Sequence, residues 1–493
     1  MCNVFPTCFD ALEPTSQASS EHSICVVVPE DQADKTTSAL KAAFELELSR
    51  ETVNSITSLK GMSVVAIIGE GMAFTPGVSA TFTRALSGAG VNIRAIAQGS
   101  SERQVSAVVE RNDVTRALRS VHGAFTLSGK VASVGIIGYN GNVGKQLIKQ
   151  LVENDDSVFS ATDIKTRVIM ACDSTKMIHD DRGINLSNMD AVMDKAEAMD
   201  LEKVTALMEQ DINPTRVILD LTDSEEVAAK YEEWLSKGIQ VVTASKIVGA
   251  GPKERFDAVN KAASAAGTQW ASECSVGAAL PLINTVRDLR YTGDKVQKIE
   301  GVFSGTLTYL ANAIEKGQSL ADALKAAHEK GFTEPDPRND LSGVDVARKL
   351  VILARELKMD VNVEDVEIEA SLSPELAKWT APKGKGELMP ALYEQLKGGA
   401  CKMLEEKIKA AAKNGKLIRQ VGTIDVTSGK LSIELREVDA SSRYGQLAES
   451  DNAICITSNR YSPNPLVVQG AGAGSVLTAS GMFADLLRVC RAA

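Results

Sequence analysis

With 493 residues, 44% of them hydrophobic and 24% charged, the chain has a globular composition and enough length for about two to four domains, which excludes a disordered or fibrous protein. A net charge of −10 argues against nucleic acid or an anionic membrane as the main partner, and no apolar run approaches the roughly 18 residues that span a bilayer. Eight cysteines without a CxxC pair argue against a zinc site or a disulfide scaffold, four histidines away from any serine or cysteine motif argue against a histidine triad, and the start "MCNVFPTCFDALEPTSQ" lacks the basic and apolar regions of a secretory signal. The expected compartment is therefore the cytosol or a plastid.

The first organised feature is a repeat. "QASSEHSICVVV" from Gln17 and "QGSSERQVSAVV" from Gln98 share a Q-x-S-S-E core followed by a β-prone run. Between them, "GEGMAFTPGVSATFTRALSGAGVNIRAIAQ" reads as a strand, a Pro76-Gly77 turn, a helix from about Ser79 to Leu86, a glycine break and a strand from Val91. This stretch resembles the paired ACT regulatory modules of aspartokinases, α+β ferredoxin-like units. The resemblance implies a partial module over 1–55, a whole one over 56–128, and Gln17 and Gln98 as residues that hold an effector amino acid, threonine. Because the first copy lacks its opening strand and helix in this chain, threonine is expected to inhibit weakly or not at all.

Near residue 130 the character changes. "VASVGIIGYNGNVGKQLIKQLVEN" reads as a buried strand, a glycine-rich turn and a helix, the context in which small residues let a backbone approach a pyrophosphate at a helix amino terminus. Gly138, Gly141 and Gly144 form GxxGxxG, one residue longer in its first turn than GxGxxG because of Tyr139-Asn140, with Asn142 and Val143 between the last two glycines. "RVIMACDST", "RVILDLTDSEEV" and "GIQVVTASK" each read as a strand ending in polar or small residues, where ligands sit in an open parallel sheet. Together these predict a Rossmann domain over 131–277 that takes NADP or NAD. Asp173 closes the second strand and is the candidate ribose reader. A carboxylate there favours the free 2′-hydroxyl of NAD, whereas Ser174, Thr175 and Lys176 beside it suit the 2′-phosphate of NADP, and the sequence leaves the two open.

Farther on, "TEPDPRNDLSGVDVARKLVILARE" drives charge into an apolar helix expected to begin near Leu341. Asp345 and Lys349 are four apart and share a face. Exposed, such a pair is worth only about 0.3–0.5 kcal/mol. Val344, Ala347, Leu350, Val351, Leu353, Ala354 and Leu357 make the helix apolar over most of its circumference, so its charged face is expected to line a cavity. Glu334 and Asp340, placed just before that helix, suit the ammonium group of an amino-acid substrate.

These stretches, with "VGAALP", "SGTL" and the carboxyl-terminal "VVQGAGAGSVLTASGMFADLLRV", resemble homoserine dehydrogenase as it occurs fused behind aspartokinase. The resemblance covers nearly the whole chain. It implies an α/β architecture, a Rossmann domain plus an α+β substrate and dimerisation domain over 278–464, with 465–493 returning to the nucleotide domain and a homodimer or higher homo-oligomer as the assembly. The implied activity is reduction of L-aspartate 4-semialdehyde to L-homoserine with NAD(P)H, and no aspartokinase activity is expected of this chain. Lys349 is implied as proton donor and Asp345 as the residue that binds and orients substrate, with Lys246 of "TASK" as a second functional lysine. Glu334, Asp340, Gly305 and Thr306 are implied at the substrate, Thr222, Lys246, Gly331 and Gly474 at the cofactor, and Glu273 with the carbonyls of Val276, Ala278 and Leu280 at a monovalent cation, Na+ or K+. The competing readings are an amino-acid-sensing ACT subunit with an inactive dehydrogenase, and a reductase of another semialdehyde or 2-oxo acid. A requirement for the free α-amino group separates the last of these.

Overall fold

In a computed structural model, the structure describes residues 16–19, 24–72, 74–98, 103–126, 130–211, 213–334, 336–369, 373, 376, 378–380, 388–399 and 401–492, without side chains for 16–24, 126 and 130. The chain divides into two units, residues 1–130 with 212–214, and residues 131–211 with 215–493.

The first unit holds a hairpin of β1 (Ser16–Ser19) and β2 (Ile24–Val27), and a helix α1 (Ala33–Ala43). Next come β3 (Met62–Ile68), α2 (Val78–Gly88), β4 (Ala95–Gln98), β5 (Gln104–Glu110) and α3 (Val114–Thr126). The sheet runs β3-β5-β4, antiparallel throughout. Alternation in the strands puts Val65, Val105, Ala107 and Val109 on the face that packs Phe82, Leu86, Ala117 and Val121 of the helices. The expected strand from Val91 starts only at Ala95: Val91 is bonded back to Leu86, and Ala89-Gly90 ends the helix with Gly90 in left-handed φ.

The second unit opens with β6 (Lys130–Ile137), α4 (Asn142–Thr162) and β7 (Ile164–Cys172), followed by β8 (Lys176–His179) and β9 (Glu197–Ala198). With β10 (Thr215–Asp220), β11 (Ile239–Thr243) and β12 (Trp270–Ala271) they form a sheet ordered β12-β11-β10-β6-β7-β8-β9. The run β12, β11, β10, β6 is parallel. These strands read as continuous apolar runs because helices cover both faces.

A second sheet follows, ordered β14-β16-β15-β13-β17-β18. Its strands are β13 (Val296–Val302), β14 (Val366–Ile368), β15 (Lys416–Asp425), β16 (Lys430–Asp439), β17 (Asp451–Ser458) and β18 (Leu466–Ala471). The helices that matter are α5 (Ile283–Tyr291), α6 (Gly305–Glu315), α7 (Leu320–Glu329), α8 (Pro337–Ser342), α9 (Val344–Glu356) and α10 (Ser475–Ala492). α9 packs Val346, Leu350, Val351 and Leu353 into the core behind this sheet, against Ile299, Phe303, Ile424 and Ile454. α10 puts Met482, Phe483, Leu486 and Val489 into the nucleotide-side core with Leu147 and Leu151 of α4.

The single helix expected from near Leu341 is two helices. Gly343 has φ 79 and serves as C-cap of α8 and N-cap of α9, a backbone turn that L side chains rarely adopt, and a Cβ there would come within 3.0 Å of Ile368. As a result Asp340 sits inside α8 rather than before a helix, and Asp345 occupies the first turn of α9.

Candidate active site

Four charged residues from three segments meet around the start of α9. Lys349 Nζ lies 2.7 Å from Asp345 Oδ2, one helical turn away. Lys246, which follows β11, lies 3.1 Å from Asp345 Oδ1 and 3.1 Å from Glu334 Oε1. Asp345 is only 2% exposed, so this is no surface pair. Burial raises the Asp345 carboxyl, but the charges of Lys246 and Lys349 outweigh it and hold the group well below the usual carboxylate range. For Lys246, burial works to lower the ammonium, and Asp345 and Glu334 outweigh it, leaving the group above its ordinary value.

A second partner holds Lys349. Its Nζ donates to the carbonyl of Phe303 at 3.0 Å, and the same carbonyl accepts Asn452 Nδ2 at 3.2 Å. With one N–H on Asp345 and one on Phe303, a single donor of the ammonium is left for a ligand. Gly472, in "GAGAG", must be glycine, since a Cβ would come within 2.1 Å of Asn452 Nδ2.

Asp340 lies beside this array, 3% exposed. Its Oδ2 accepts the N–H of Glu334 at 2.9 Å, and its Oδ1 is 2.8 Å from Thr306 Oγ1. The Thr306 hydroxyl also faces the Phe332 carbonyl at 2.6 Å. One hydroxyl proton cannot serve both acceptors, so both contacts are satisfied together when Asp340 carries a proton. Burial first, then the Asp345 charge, with Glu334 adding, pushes the Asp340 carboxyl up to about 7. Gly305, first residue of α6, lets the chain pass Ser450, whose carbonyl would be 2.6 Å from a Cβ.

At the carboxyl ends of the same parallel strands that lead to Lys246, the glycine turn joins β6 to α4. Gly144 is obligatory: a Cβ would fall 2.4 Å from the carbonyls of Gly138 and Tyr139. Gly141 is the N-cap and no side chain caps the helix, so the first-turn N–H groups of Asn142, Val143 and Gly144 face outward, as an anion site requires. These features fit a dinucleotide pyrophosphate. Thr222 follows β10, with its methyl 2.8 Å from where a Gly138 Cβ would be. Its N–H and hydroxyl both bond Asp220, at 2.9 and 2.7 Å. Asp220 also accepts from Tyr231 and is pushed up to about 6 by burial, against those bonds. Asp173, after β7, accepts from Thr175, Lys176 and Asn140.

Of the other residues expected at a site, Gly474 follows Gly472 by two residues and Gly331 directly precedes Phe332. Gly474 has φ 119 and leads into α10, whereas Gly331, φ 71, is exposed and ends α7. Glu273 caps α5, accepting Ile283 N at 2.6 Å, Asn284 N at 2.9 Å and the Asn284 amide. The turn through Val276, Ala278 and Leu280 follows it, with Ala278 at φ 56. Burial raises the Glu273 carboxyl and outweighs these bonds, leaving it above its ordinary value. Gln98, in the first unit, accepts from Ser79 of α2 at 2.8 Å. The side chain of Gln17 lies outside the described residues. The sequence reading missed Phe303, Asn452 and Asp220. A backbone carbonyl has no side-chain signature, Asn452 acts through that carbonyl 149 residues away, and Asp220 is a fully buried acid at a strand end whose burial only the fold reveals.

Comparison with known proteins agrees with this geometry. A family model described as homoserine dehydrogenase matches residues 281–487, one described as homoserine dehydrogenase, NAD binding domain, matches 140–273, and an ACT domain model matches 65–125. The homoserine dehydrogenase of Schizosaccharomyces pombe is 35% identical over 365 residues, 72% of this chain and 95% of that protein. The chain belongs to the homoserine dehydrogenase family. The chloroplastic bifunctional aspartokinase/homoserine dehydrogenase 1 of Zea mays is 40% identical over 476 residues, 96% of this chain. The chain spans about half the length of this relative, 51%. A crystal structure of a Candida auris protein of unknown function shares the fold, with a TM-score of 0.64 and 29% identity over 74% of this chain and 99% of that one. Among the described residues no helix is long and apolar enough to cross a membrane.

Proposed function

We propose that the chain reduces L-aspartate 4-semialdehyde to L-homoserine, reversibly, with a nicotinamide cofactor. The observation that carries this is the buried array Glu334, Lys246, Asp345, Lys349, which pairs a single free N–H on Lys349 with an acidic surround. The cofactor, when bound, supplies a hydride to the aldehyde carbon. The developing alkoxide oxygen takes a proton from Lys349, whose remaining donor points where Asp345 and the Phe303 carbonyl leave it. Asp345 holds Lys349 and Lys246 in register. Glu334 and Asp340 seat the substrate ammonium, and the arriving cation favours the ionised form of Asp340. Thr306 and Gly305 shape that seat. Thr222 and the glycine turn hold the cofactor.

The test is oxidation of NADH or NADPH by the purified chain with aspartate semialdehyde. Turnover with it, and none with succinic semialdehyde, which lacks the α-amino group, is expected. Equal turnover of the two would sink the acidic seat, and no turnover with either would sink the assignment. A homo-oligomer, and threonine as an effector near Gln98 and Ser79, belong to the same reading. A threonine titration of parent and Gln98→Ala tests the effector: weak or no inhibition of the parent is expected, and strong inhibition that disappears in the variant would overturn that expectation. A monovalent cation near Glu273 rests on resemblance, and no step runs through it.

A further inference from the structure

The glycine turn carries one residue more than GxGxxG, and the extra length has a partner. Asn140 Nδ2 donates to Asp173 Oδ2 at 3.1 Å. Asp173 is held close to the turn, because the carbonyl of Cys172 just before it accepts the N–H of Gly138 at 2.8 Å and of Tyr139 at 3.3 Å. It thus stands at the carboxyl end of the strand beside β6, where an open parallel sheet reads the adenosine ribose.

The two carboxylate oxygens have different work. Oδ1 closes a local turn, accepting Thr175 N at 2.7 Å, Thr175 Oγ1 at 2.8 Å and Lys176 N at 2.8 Å. Among the described residues Oδ2 accepts from Asn140 alone, and it keeps lone-pair capacity for a hydroxyl. Burial raises this carboxyl, but those hydrogen bonds and Lys176 outweigh it, so the group is a fixed anion near neutral pH. The charge of Asp190 reaches Tyr139 in the same turn, adding to the negative field. Of the residues suited to a 2′-phosphate, Thr175 has spent its hydroxyl on Asp173, and Lys176 is exposed beside the carboxylate.

We propose that Asn140 and Asp173 form a clasp that accepts the free 2′-hydroxyl of the adenosine ribose and makes this chain select NAD(H) over NADP(H). The clasp rests on the nicotinamide-dependent reading above. A 2′-phosphate placed there meets a like charge, whereas a hydroxyl gains an acceptor already aimed by Asn140.

Isothermal titration of the full chain with NADH and with NADPH reads this directly, without turnover. The parent is expected to bind NADH at least about tenfold more tightly. Asp173→Asn keeps an acceptor for the turn but removes the charge, and should cut that ratio by about tenfold. Asn140→Ala leaves the turn untouched and should cut it partway, with unchanged circular dichroism. A parent that binds NADPH as tightly as NADH, or a ratio that survives Asp173→Asn, overturns the clasp and leaves the dehydrogenase reading standing. Failure of the parent to bind either cofactor overturns both.

Discussion

Replacing Asp340 by asparagine should make the protein more stable and the enzyme worse. The folded-state carboxyl is pushed from 3.8 to about 7, roughly three units, and at 1.36 kcal/mol per unit this corresponds to about 4 kcal/mol as an upper bound. The sign follows from which state keeps its proton. Below the unfolded value both states are protonated and Asp340 costs nothing. As pH rises, the unfolded chain releases the proton and the folded chain does not, so stability falls until the folded value is passed and then levels off. Asparagine reproduces the protonated form: its oxygen accepts the Glu334 N–H, and its amide donates to Thr306 Oγ1, freeing the Thr306 proton for Phe332. Urea unfolding should show a gain of up to about 4 kcal/mol at about pH 8.5 and no more than about 2 kcal/mol at about pH 5. The Michaelis constant for aspartate semialdehyde should rise about tenfold with a smaller loss of kcat, because an ammonium seat is lost rather than a transition-state contact. No stabilisation at the higher pH, or the same gain at both, would refute the shared-proton argument.

Lys349→Ala should lower kcat by at least about a hundredfold, the scale of a lost general acid, with cofactor binding by calorimetry unchanged. Activity within about threefold of the parent would remove it from that role. Asp345→Asn should both raise the Michaelis constant and lower kcat, and should cost about 3–5 kcal/mol in urea unfolding, since two lysines lose a buried counter-charge. The stability that Asp345 contributes is present above its unfolded value and is lost only as pH falls through its depressed folded value, so the variant and parent should converge only in strong acid. Gly144→Ala should abolish calorimetric binding of NADH and NADPH, because its Cβ would strike the carbonyls of Gly138 and Tyr139. Intact binding in that variant would show that the turn is not the pyrophosphate seat.

Local pattern alone determined a good deal. Apolar runs followed by small residues gave the strands β6, β7, β10 and β11, because a strand covered on both faces must be apolar throughout. The four-residue spacing of Asp345 and Lys349 on an apolar helix gave a buried pair, because the helical period leaves no other geometry. What needed the tertiary structure were relations between distant segments and between backbone atoms. Lys246 reaches Glu334 and Asp345 only because the sheet ends next to α9. Gly343 splits one expected helix into two through a φ that periodicity does not encode. The proton on Asp340 depends on Thr306 facing the carbonyl of Phe332, and the aim of Lys349 depends on the carbonyl of Phe303. Every residue carries the same carbonyl, so no sequence pattern marks which one will be used; only the folded chain, by bringing a particular donor within reach and burying both, makes that choice.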